Sequence, residues 1–283
     1  MQIIKTIDGL REATAAWRLE GQRIAFVPTM GNLHAGHLKL VEAAKASADR
    51  TVVSIFVNPT QFGQGEDYET YPRTEHEDAI KLNAAGVDVV FMPSVSEMYP
   101  NDAKTVVSVK DLSDLHCGKS RPGHFNGVAT VVCKLLNMVQ PDLAYFGQKD
   151  FQQLAVIKTM VRDLNIPVTI QSVETSRENS GLAMSSRNGY LSQQEYSIAP
   201  KLYQALFLAR DKVALSREPY RDIEGKAVEL LQSVGFHVDY FSICRSGDLL
   251  PAEVRDRELV ILAAARLGKT RLIDNVTLTL PRT

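Results

Sequence analysis

Cysteine is scarce in this chain, and neither sign of charge is in excess. The 283 residues include three cysteines, Cys117, Cys133 and Cys244, and no Cys-x-x-Cys pair. A disulfide framework or a structural zinc site is therefore not expected, and a reducing compartment is favoured. The 32 basic and 33 acidic residues nearly cancel, so the chain has no global field for holding nucleic acid or an anionic membrane.

Long apolar runs are also missing. No segment approaches the roughly 20 apolar residues that a membrane-spanning helix needs, and the first residues carry no secretory signal pattern. We therefore expect a cytoplasmic protein without nucleic acid or membrane partners. A local basic pocket is still compatible with this composition, and a small anionic substrate would need no more than that.

The first 175 or so residues contain short apolar runs that alternate with helical patterns at the spacing of βαβ units. Several runs are continuously apolar, as in strands that are covered on both faces. Strands are predicted at 24–27, 52–57, 87–92, 143–146 and 168–173, and helices at 36–48, 75–85, 128–139 and 151–164. Asp150 is predicted to cap the last helix and Gly86 to end the second. Right-handed crossovers then predict an α/β fold, a Rossmann-like doubly wound parallel sheet with its ligand crevice at the carboxyl ends of the strands.

The pattern changes in the C-terminal part of the chain. Helices are predicted at 197–213 and 221–234, and strands at 238–244, 259–265 and 271–280, with a hairpin turn at Gly268 and Lys269. Helices followed by a small antiparallel sheet indicate a second, smaller α+β domain. We therefore predict a nucleotide- and substrate-binding domain at 1–175 and a lid domain at 176–283.

The most informative segment, 27–37, reads Val-Pro-Thr-Met-Gly-Asn-Leu-His-Ala-Gly-His and joins the first predicted strand to a helix. Exposed N–H groups and the positive end of a helix dipole favour an anion at such a turn, and glycine permits close approach. His34 and His37 would lie on one helix face and reach the same phosphate chain. Two histidines near a helix start can also be ordinary polar residues, so the turn alone does not identify a reaction.

A second polar segment, 181–188, reads Gly-Leu-Ala-Met-Ser-Ser-Arg-Asn. Serine hydroxyls donate hydrogen bonds to phosphoryl oxygens, and Arg187 would add a permanently charged fork. Taken alone, the segment is equally well explained as a solvated serine-rich linker. Together with His34 and His37, it indicates a triphosphate site.

These two segments resemble the H-x-G-H and K-M-S-K-S signatures of the nucleotidylyltransferase and class I aminoacyl-tRNA synthetase superfamily. A wider set of ordered segments resembles the pantothenate synthetase family, also called pantoate–β-alanine ligases, over nearly the whole chain. These segments are 28–37, 56–62, 71–74, 121–125, 146–153, 184–188 and 271–275. The resemblance implies ATP-dependent condensation of (R)-pantoate with β-alanine to pantothenate, AMP and pyrophosphate, through a pantoyl adenylate. It also implies a Mg²⁺ requirement and a homodimer.

The resemblance further implies roles for individual residues. His34, His37, Lys149 and Arg187 would be catalytic, with His37 as a proton donor because an imidazole pKa can lie near working pH. The pantoate ligands would be Gln61 and Gln153, with Asn58 beside them and Met30 against the gem-dimethyl group. The ATP-binding residues would be Met30, Gly31, Asn32, Leu33, His34, Ala35, Gly36, His37, Gly147, Gln148, Lys149, Asp150, Ser176, Met184, Ser185, Ser186 and Arg187.

Three carboxylates are candidate Mg²⁺ ligands, namely Asp150, Glu77 and Asp78. Magnesium usually takes one or two protein carboxylates together with phosphate oxygens, so no larger cluster is required. A solvated helix face explains Glu77 and Asp78 equally well. His124 is predicted to be structural, and the remaining histidines, His76, His116 and His237, to be ordinary polar positions.

The chain departs from the family pattern before the two serines. Glu174 stands where the family has proline, and Ser180 where it has aspartate. Both changes affect the rigidity of the segment and leave the phosphate-binding residues unchanged, so activity is expected. Two alternatives remain: a nucleotidylyltransferase that moves AMP or CMP onto a phosphorylated acceptor, and a catalytically inactive nucleotide-binding sensor. A class I tRNA ligase is disfavoured by the size of the chain and by its lack of a basic face.

Overall fold

A parallel sheet forms the N-terminal part of the protein, for which a computed structural model describes residues 1–215 and 218–281. All its strand pairs are parallel, and their spatial order is β1-β4-β3-β2-β5-β6. In chain order, β1 to β6 are Gln2–Ile4, Ile24–Thr29, Arg50–Ile55, Val89–Phe91, Leu143–Gly147 and Thr169–Val173. The predicted doubly wound sheet is confirmed. Strand β1 was missed because three residues at a sheet edge are too short to show a periodicity.

Helices connect these strands and continue into the C-terminal part. In chain order, α1 to α10 are Ile7–Leu19, Ala35–Lys45, Glu75–Ala84, Val95–Met98, Cys117–Ser120, His124–Val139, Phe151–Asp163, Gln193–Ile198, Lys201–Leu215 and Tyr220–Ser233. Short 3₁₀ helices occur at Pro59–Gln61, Leu112–Asp114, Gln148–Asp150 and Ser186–Tyr190. No helix in the described ranges is long and apolar enough to cross a membrane.

Two local predictions are wrong, and a third is confirmed. The single helix predicted at 197–213 is divided into α8 and α9 at Pro200, whose ring and missing N–H do not permit a continuous helix. The Asp150 side chain makes no capping hydrogen bond, because a 3₁₀ helix already leads into α7. Gly86 ends α3 as predicted: its φ is +72°, and its N–H donates to the Asn83 carbonyl at 3.0 Å.

Strand β2 is the point at which the strand order reverses. From β2 the chain continues to β3 and β4 on one side, and β5 and β6 lie on the other. The loops that follow β2 and β5 therefore run apart and open a crevice at the carboxyl ends of these strands. The histidine turn follows β2 and residues 147–150 follow β5, so the sheet itself brings the two segments together.

Apolar side chains of β2 fill both faces of the parallel sheet. Ile24 and Phe26 are fully buried on the face that α6 covers, and Ala25 and Val27 on the face that α2 covers. The alternation follows from the two-residue period of a strand. A sheet covered on both faces supplies a rigid floor for the crevice.

The C-terminal strands form a separate antiparallel sheet, with β7 at His237–Arg245, β8 at Glu258–Leu267 and β9 at Thr270–Thr279. Leu267 pairs with Thr270 across the two-residue turn, which confirms the predicted hairpin. Ile261 and Ala263 of β8 pack in the cluster that contains α9 and α10. Val260 and Leu262 belong instead to the core cluster of the N-terminal part. The middle strand of the small sheet is therefore buried on both faces. The division at 175/176 stays a prediction.

Candidate active site

A cavity of about 310 Å³ lies between the loops after β2 and β5 and the C-terminal part of the chain. Its volume is at the lower end of the range for small-molecule sites, about 300–1,000 Å³. Among its lining residues are seven of the predicted set, namely Met30, Gln61, Lys149, Asp150, Gln153, Ser185 and Arg187. The cavity is also lined by residues without a predicted ligand role, among them Glu66, Asp67, Arg121 and His124.

The turn before α2 is held by the buried carboxylate of Asp78. Asp78 accepts hydrogen bonds from the backbone N–H groups of Asn32 at 2.7 Å and Leu33 at 2.8 Å, and from the Thr74 hydroxyl at 3.0 Å. These bonds stabilise two successive residues with positive φ, Gly31 at +82° and Asn32 at +50°. A carboxylate 45 residues or more away in the chain thus fixes the shape of the turn.

This geometry corrects the prediction for the pair Glu77 and Asp78. Asp78 is 0% exposed, so a solvated helix face is the wrong description of it. Its oxygens are already occupied by the turn, and it does not line the cavity. Glu77 is exposed on α3 and also lies outside the lining. We therefore retain neither residue as a metal ligand.

His34 and His37 form a reciprocal cap at the start of α2. The Gly36 N–H donates to Nδ1 of His34 at 3.1 Å, and the His34 N–H donates to Nδ1 of His37 at 3.3 Å. Because each Nδ1 accepts a backbone hydrogen bond, the neutral rings carry their proton on Nε2. The ring centroids are 4.1 Å apart. The two residues thus present a pair of neighbouring Nε2–H donors.

Burial keeps both imidazoles neutral. Burial, followed by the charges of Lys149 and Lys81, lowers the pKa of His34 to about 4. Burial, followed by the neighbouring His34, lowers the pKa of His37 to about 3. The expectation that the pKa of His37 lies near working pH is therefore wrong for this arrangement. A bound phosphate chain would raise both pKa values by charge attraction.

Gly36 is required by the ring of His34 beside it. A Cβ at Gly36 would lie 2.9 Å from Cε1 of His34 and 3.4 Å from Cβ of Ser176. The first distance is shorter than a normal contact between carbon atoms. Gly36 and the buried Ser176 therefore shape the turn, and they do so without lining the cavity.

Gln61 lies at the end of a chain of hydrogen-bonded side chains. The Tyr99 hydroxyl donates to Oδ1 of Asn58 at 2.9 Å, and Nδ2 of Asn58 donates to Oε1 of Gln61 at 3.1 Å. Nε2 of Gln61 contacts Sδ of Met30 at 3.0 Å. The chain fixes the orientation of the amide, so that Gln61 turns its N–H donors to the cavity.

Asn58 has a different place from the one predicted. It is 1% exposed, and its amide also donates to the Gly127 carbonyl at 3.1 Å and accepts from the Thr60 hydroxyl at 3.0 Å. Its hydrogen-bonding capacity is taken up by protein groups, and it does not line the cavity. Asn58 therefore positions Gln61, and the geometry gives it no direct contact with a ligand in the cavity.

The segment after β5 places Lys149, Asp150 and Gln153 at the cavity. The Lys149 ammonium is 3.8 Å from the Asp150 carboxylate. Gln153 lines the cavity, and within the described ranges its amide has no hydrogen-bond partner. The neighbouring Gln152 is buried and binds the Leu112 and Leu115 carbonyls. Only the second of the two adjacent glutamines is thus available to a ligand.

The serine segment contributes Ser185 and Arg187 to the cavity that Lys149 also lines. The Ser186 hydroxyl donates to the Asn32 carbonyl at 3.2 Å, and the Met184 N–H donates to the Ser176 carbonyl at 2.9 Å. These bonds join the segment to the histidine turn and to its own start. Its two departures from the family pattern, Glu174 and Ser180, are exposed, so they leave the cavity unchanged.

Two adjacent acidic residues without a predicted role pair with the cavity arginines. Nε and Nη2 of Arg187 donate to the Asp67 carboxylate, both at 3.0 Å. Arg121 donates twice to Glu66, at 2.6 Å in each case. Burial alone would raise the pKa of Glu66, but hydrogen bonds from Arg121 and Gly63 lower it to about 2. In the sequence, the signal for Glu66 and Asp67 is that two acidic residues stand together after Gly63 and Gly65 and before Tyr68.

His124 has the structural role that was predicted, and His116 differs from its prediction. Nδ1 of His124 donates to the Gln61 carbonyl at 2.8 Å, so its Nε2 accepts from Arg121 at 3.0 Å. Burial and the charge of Arg121 lower the pKa of His124 to about 4. His116 is half-buried and contacts the Leu249 carbonyl at 3.0 Å, which joins the two parts of the chain. His76 and His237 are exposed.

The comparisons with known proteins agree along the whole chain. A family model described as "Pantoate-beta-alanine ligase" matches residues 2–277. A pantothenate synthetase of Alteromonas mediterranea is 53% identical over 281 residues, which cover 99% of this chain and 100% of the relative. One of Stutzerimonas stutzeri is 56% identical over 278 residues, which cover 98% of this chain and 97% of the relative.

Solved structures show the same likeness. The crystal structure of pantothenate synthetase from Thermus thermophilus has a TM-score of 0.92 at 44% identity and covers 99% of this chain and 100% of its own. That of pantoate-beta-alanine ligase from Francisella tularensis, complexed with beta-gamma ATP and beta-alanine, has a TM-score of 0.82 at 36% identity and covers 98% and 97%. The fold and the sequence of this chain are therefore similar to those of the same group of enzymes.

Proposed function

The chain belongs to the pantoate–β-alanine ligase family, so its activity is the ATP-dependent joining of pantoate to β-alanine, and we propose how its residues divide this work. The observation that carries the proposal is the meeting of three segments at the strand-order reversal: the histidine turn, the Lys149 segment and residues 184–187. Family membership sets aside the nucleotidylyltransferase alternative.

The first half of the reaction forms a pantoyl adenylate. The pantoate carboxylate attacks the α-phosphorus of ATP, the bond to the β-phosphate oxygen breaks, and pyrophosphate leaves with the electron pair. Negative charge grows on the α-phosphoryl oxygens and on the leaving group. We assign the donors to that charge as Lys149, which lines the cavity, and the Nε2–H groups of His34 and His37, which lie outside the lining but close enough to feel the charge of Lys149. Catalysis is then mainly positioning and electrostatics.

The role of His37 follows from its pKa. With a pKa of about 3, His37 is almost entirely the neutral imidazole at neutral pH, which has an Nε2–H to donate in a hydrogen bond but not the second, acidic proton of the imidazolium. We therefore assign His37, like His34, as a neutral hydrogen-bond donor to phosphate oxygens. The general-acid role implied by the family resemblance would require bound phosphates to raise this pKa by several units.

Arg187 must exchange partners in order to bind phosphate. Its guanidinium is held by Asp67, and both side chains are about one-quarter to one-third exposed, at 32% and 24%. The two-pronged pair still has contact with solvent, and a polyphosphate offers the same guanidinium more negative charge than one carboxylate, so it can displace Asp67. Arg187, Ser185 and Ser186 then close over the phosphates from the side opposite to Lys149.

The second half of the reaction makes the amide. The β-alanine amine attacks the acyl carbon of the adenylate, AMP leaves, and the amine loses a proton. The Gln61 donors and the open Gln153 amide bind the hydroxyl and carboxylate oxygens of pantoate, and Met30 packs on its methyl groups. Together these residues would hold the acyl carbon in one place during both halves.

The residues at the cavity fit a magnesium ion that travels with ATP. Among the described residues no group of three or more histidine, cysteine or acidic side chains is arranged for a metal. The Asp150 carboxylate lines the cavity, and its side chain is 45% exposed. One or two carboxylates together with phosphate oxygens are the usual ligands of Mg²⁺, and the Asp150 carboxylate is paired only at 3.8 Å with Lys149. The ion would neutralise charge on the leaving pyrophosphate.

Tyr99→Phe is expected to raise KM for pantoate about fivefold while KM for ATP stays unchanged. Loss of the hydroxyl frees Oδ1 of Asn58 and loosens the Gln61 amide, and one such hydrogen bond contributes about 1 kcal/mol. Steady-state kinetics with each substrate varied in turn would measure both constants. Tyr220→Phe, remote on α10, is the control. If Tyr99→Phe still raised KM for pantoate fivefold in a Gln61→Ala background, Tyr99 would not act through Gln61. Two changes in one chain of hydrogen-bonded side chains should be non-additive.

The activity is tested by following pyrophosphate, AMP and pantothenate release from ATP and Mg²⁺. We expect multiple turnovers only with both pantoate and β-alanine, equal amounts of AMP and pantothenate, and loss of turnover when EDTA removes the metal. A single burst of pyrophosphate is expected with pantoate alone. ATP binding without any turnover would support the inactive-sensor alternative, and turnover in EDTA would contradict the magnesium assignment.

The assembly and the compartment also belong to this proposal. Val106 is 67% exposed beside a groove lined by Tyr99, Val107 and Met138, which suits a homodimer contact in the N-terminal part. A single 31.3 kDa species in sedimentation equilibrium at micromolar concentration would contradict the dimer. The three cysteines are all unpaired, which suits the cytoplasm. Recovery of the protein in an extracytoplasmic fraction would contradict that placement.

A further inference from the structure

Strand β9 carries two consecutive buried polar residues, Asp274 and Asn275, which are 4% and 6% exposed. Buried polar side chains are costly unless their hydrogen bonds are satisfied, so their partners show what they are for. In this case the partners lie in two segments that lead to cavity residues: the 3₁₀ helix that contains Lys149, and Arg177, which precedes Ser185 and Arg187.

Asn275 holds the Lys149 segment by its backbone. Its Nδ2 donates to the Gln148 carbonyl and to the Lys149 carbonyl, both at 2.9 Å. These residues belong to the 3₁₀ helix Gln148–Asp150, whose N-terminus has no side-chain cap. The amide of Asn275 thus supplies a fixed point for a short element that has few bonds of its own.

Asp274 holds the segment that leads to the serines. Its carboxylate accepts a two-pronged hydrogen bond from Arg177, at 2.6 and 2.9 Å. Arg177 also donates to the Gly181 carbonyl at 3.2 Å and to the Asn275 carbonyl at 3.3 Å, and its guanidinium lies 3.6 Å from the Tyr203 ring centre. The start of the 176–188 segment is therefore also tied to β9.

We propose that Asn275 is a positioning residue for Lys149 in the adenylation half of the reaction, and that β9 sets the spacing of the two phosphate-binding segments across the cavity. This inference rests on the proposed function. The Asn275 side chain does not touch the phosphates in this view; it fixes the backbone from which the Lys149 side chain extends. An ammonium displaced by about 1 Å can lose up to about 100-fold in rate.

The experiment is a double-mutant cycle on single-turnover pyrophosphate release, using the full chain with ATP, Mg²⁺ and pantoate. Asn275→Ala is expected to slow this step at least about 10-fold. In a Lys149→Met background the same change should cost less than about threefold, because the group that Asn275 positions is already gone. Thr277→Ala, two residues along β9 and exposed, is the matched control and should leave the rate unchanged.

The results of the cycle distinguish a positioning role of Asn275 from a structural one. A full 10-fold loss in the Lys149→Met background would make Asn275 a structural residue only and overturn the inference. An unchanged rate in Asn275→Ala would overturn it directly. If Asn275→Ala does not fold, Asn275→Leu, which keeps nearly the same shape and removes the N–H donors without adding a buried charge, takes its place in the cycle. Absence of pyrophosphate release from the unsubstituted chain would instead count against the proposed function, whatever the variants do.

Discussion

Lys149→Met is expected to lower turnover by about 100- to 1,000-fold without unfolding the chain. The Lys149 ammonium is 3.8 Å from the Asp150 carboxylate, a longer contact than those that join Arg121 to Glu66 and Arg187 to Asp67. It can therefore meet the charge that grows on the phosphates with less rearrangement than either arginine. Methionine keeps most of the stem and removes the charge, so the loss should fall mainly on turnover.

The control for this variant is Lys158→Met on α7, where the lysine is exposed and points away from the cavity lining. Single-turnover pyrophosphate release and thermal unfolding would be measured for both variants. A Lys149→Met enzyme that keeps more than about a tenth of the turnover would remove Lys149 from the catalytic set. Equal losses in both variants would indicate a general charge effect.

Arg177→Met is expected to cost about 3–5 kcal/mol of unfolding free energy at pH 7. The Asp274 carboxylate is only 3% exposed, and removal of its partner would leave a buried charge unpaired. Urea unfolding at pH 7 would measure the loss. Arg162→Met is the control: it breaks an ion pair whose side chains are 73% and 55% exposed, and such pairs contribute about 1 kcal/mol at most.

The same variant should lose less stability at acidic pH. Burial raises the pKa of Asp274 even though Arg177 opposes the shift, and loss of Arg177 would raise it further. A folded-state pKa above the unfolded value favours the folded state at low pH, and that contribution disappears as pH rises through the folded pKa. The deficit relative to the unsubstituted chain should therefore shrink from pH 7 to pH 5. A deficit that grows towards pH 5 would contradict the buried-carboxylate explanation.

The sequence predicted the parts of the site that are local in the chain. A strand, a glycine turn and a helix start appear as one continuous pattern, so the position of His34, Gly36 and His37 between β2 and α2 could be predicted from residues 24–45 alone. The serine segment could be recognised in the same way. The sheet order followed from handedness and crossover rules, which act on whole elements and tolerate errors of a few residues at their ends.

The supports of the site could not be found in this way, because each is a contact between distant segments. Asp78 is 46 residues from Asn32, Asp67 is 120 residues from Arg187, and Asn275 is 126 residues from Lys149. A single carboxylate or amide has the same appearance in a sequence whether it is solvated or buried. Asn58 had been expected beside the pantoate and Asp78 had been a candidate Mg²⁺ ligand, whereas their saturated hydrogen bonds make them supports.

Strand β8 has an unusual consequence for how this protein tolerates substitution. In an ordinary half-exposed strand every second position accepts polar residues, because alternate side chains point to solvent. In β8 the odd-numbered Ile261 and Ala263 fill the core beneath α9 and α10, and the even-numbered Val260 and Leu262 fill that of the parallel sheet. The middle of β8 therefore has no position that accepts a polar side chain. Inherited variation there should be confined to apolar residues of similar volume.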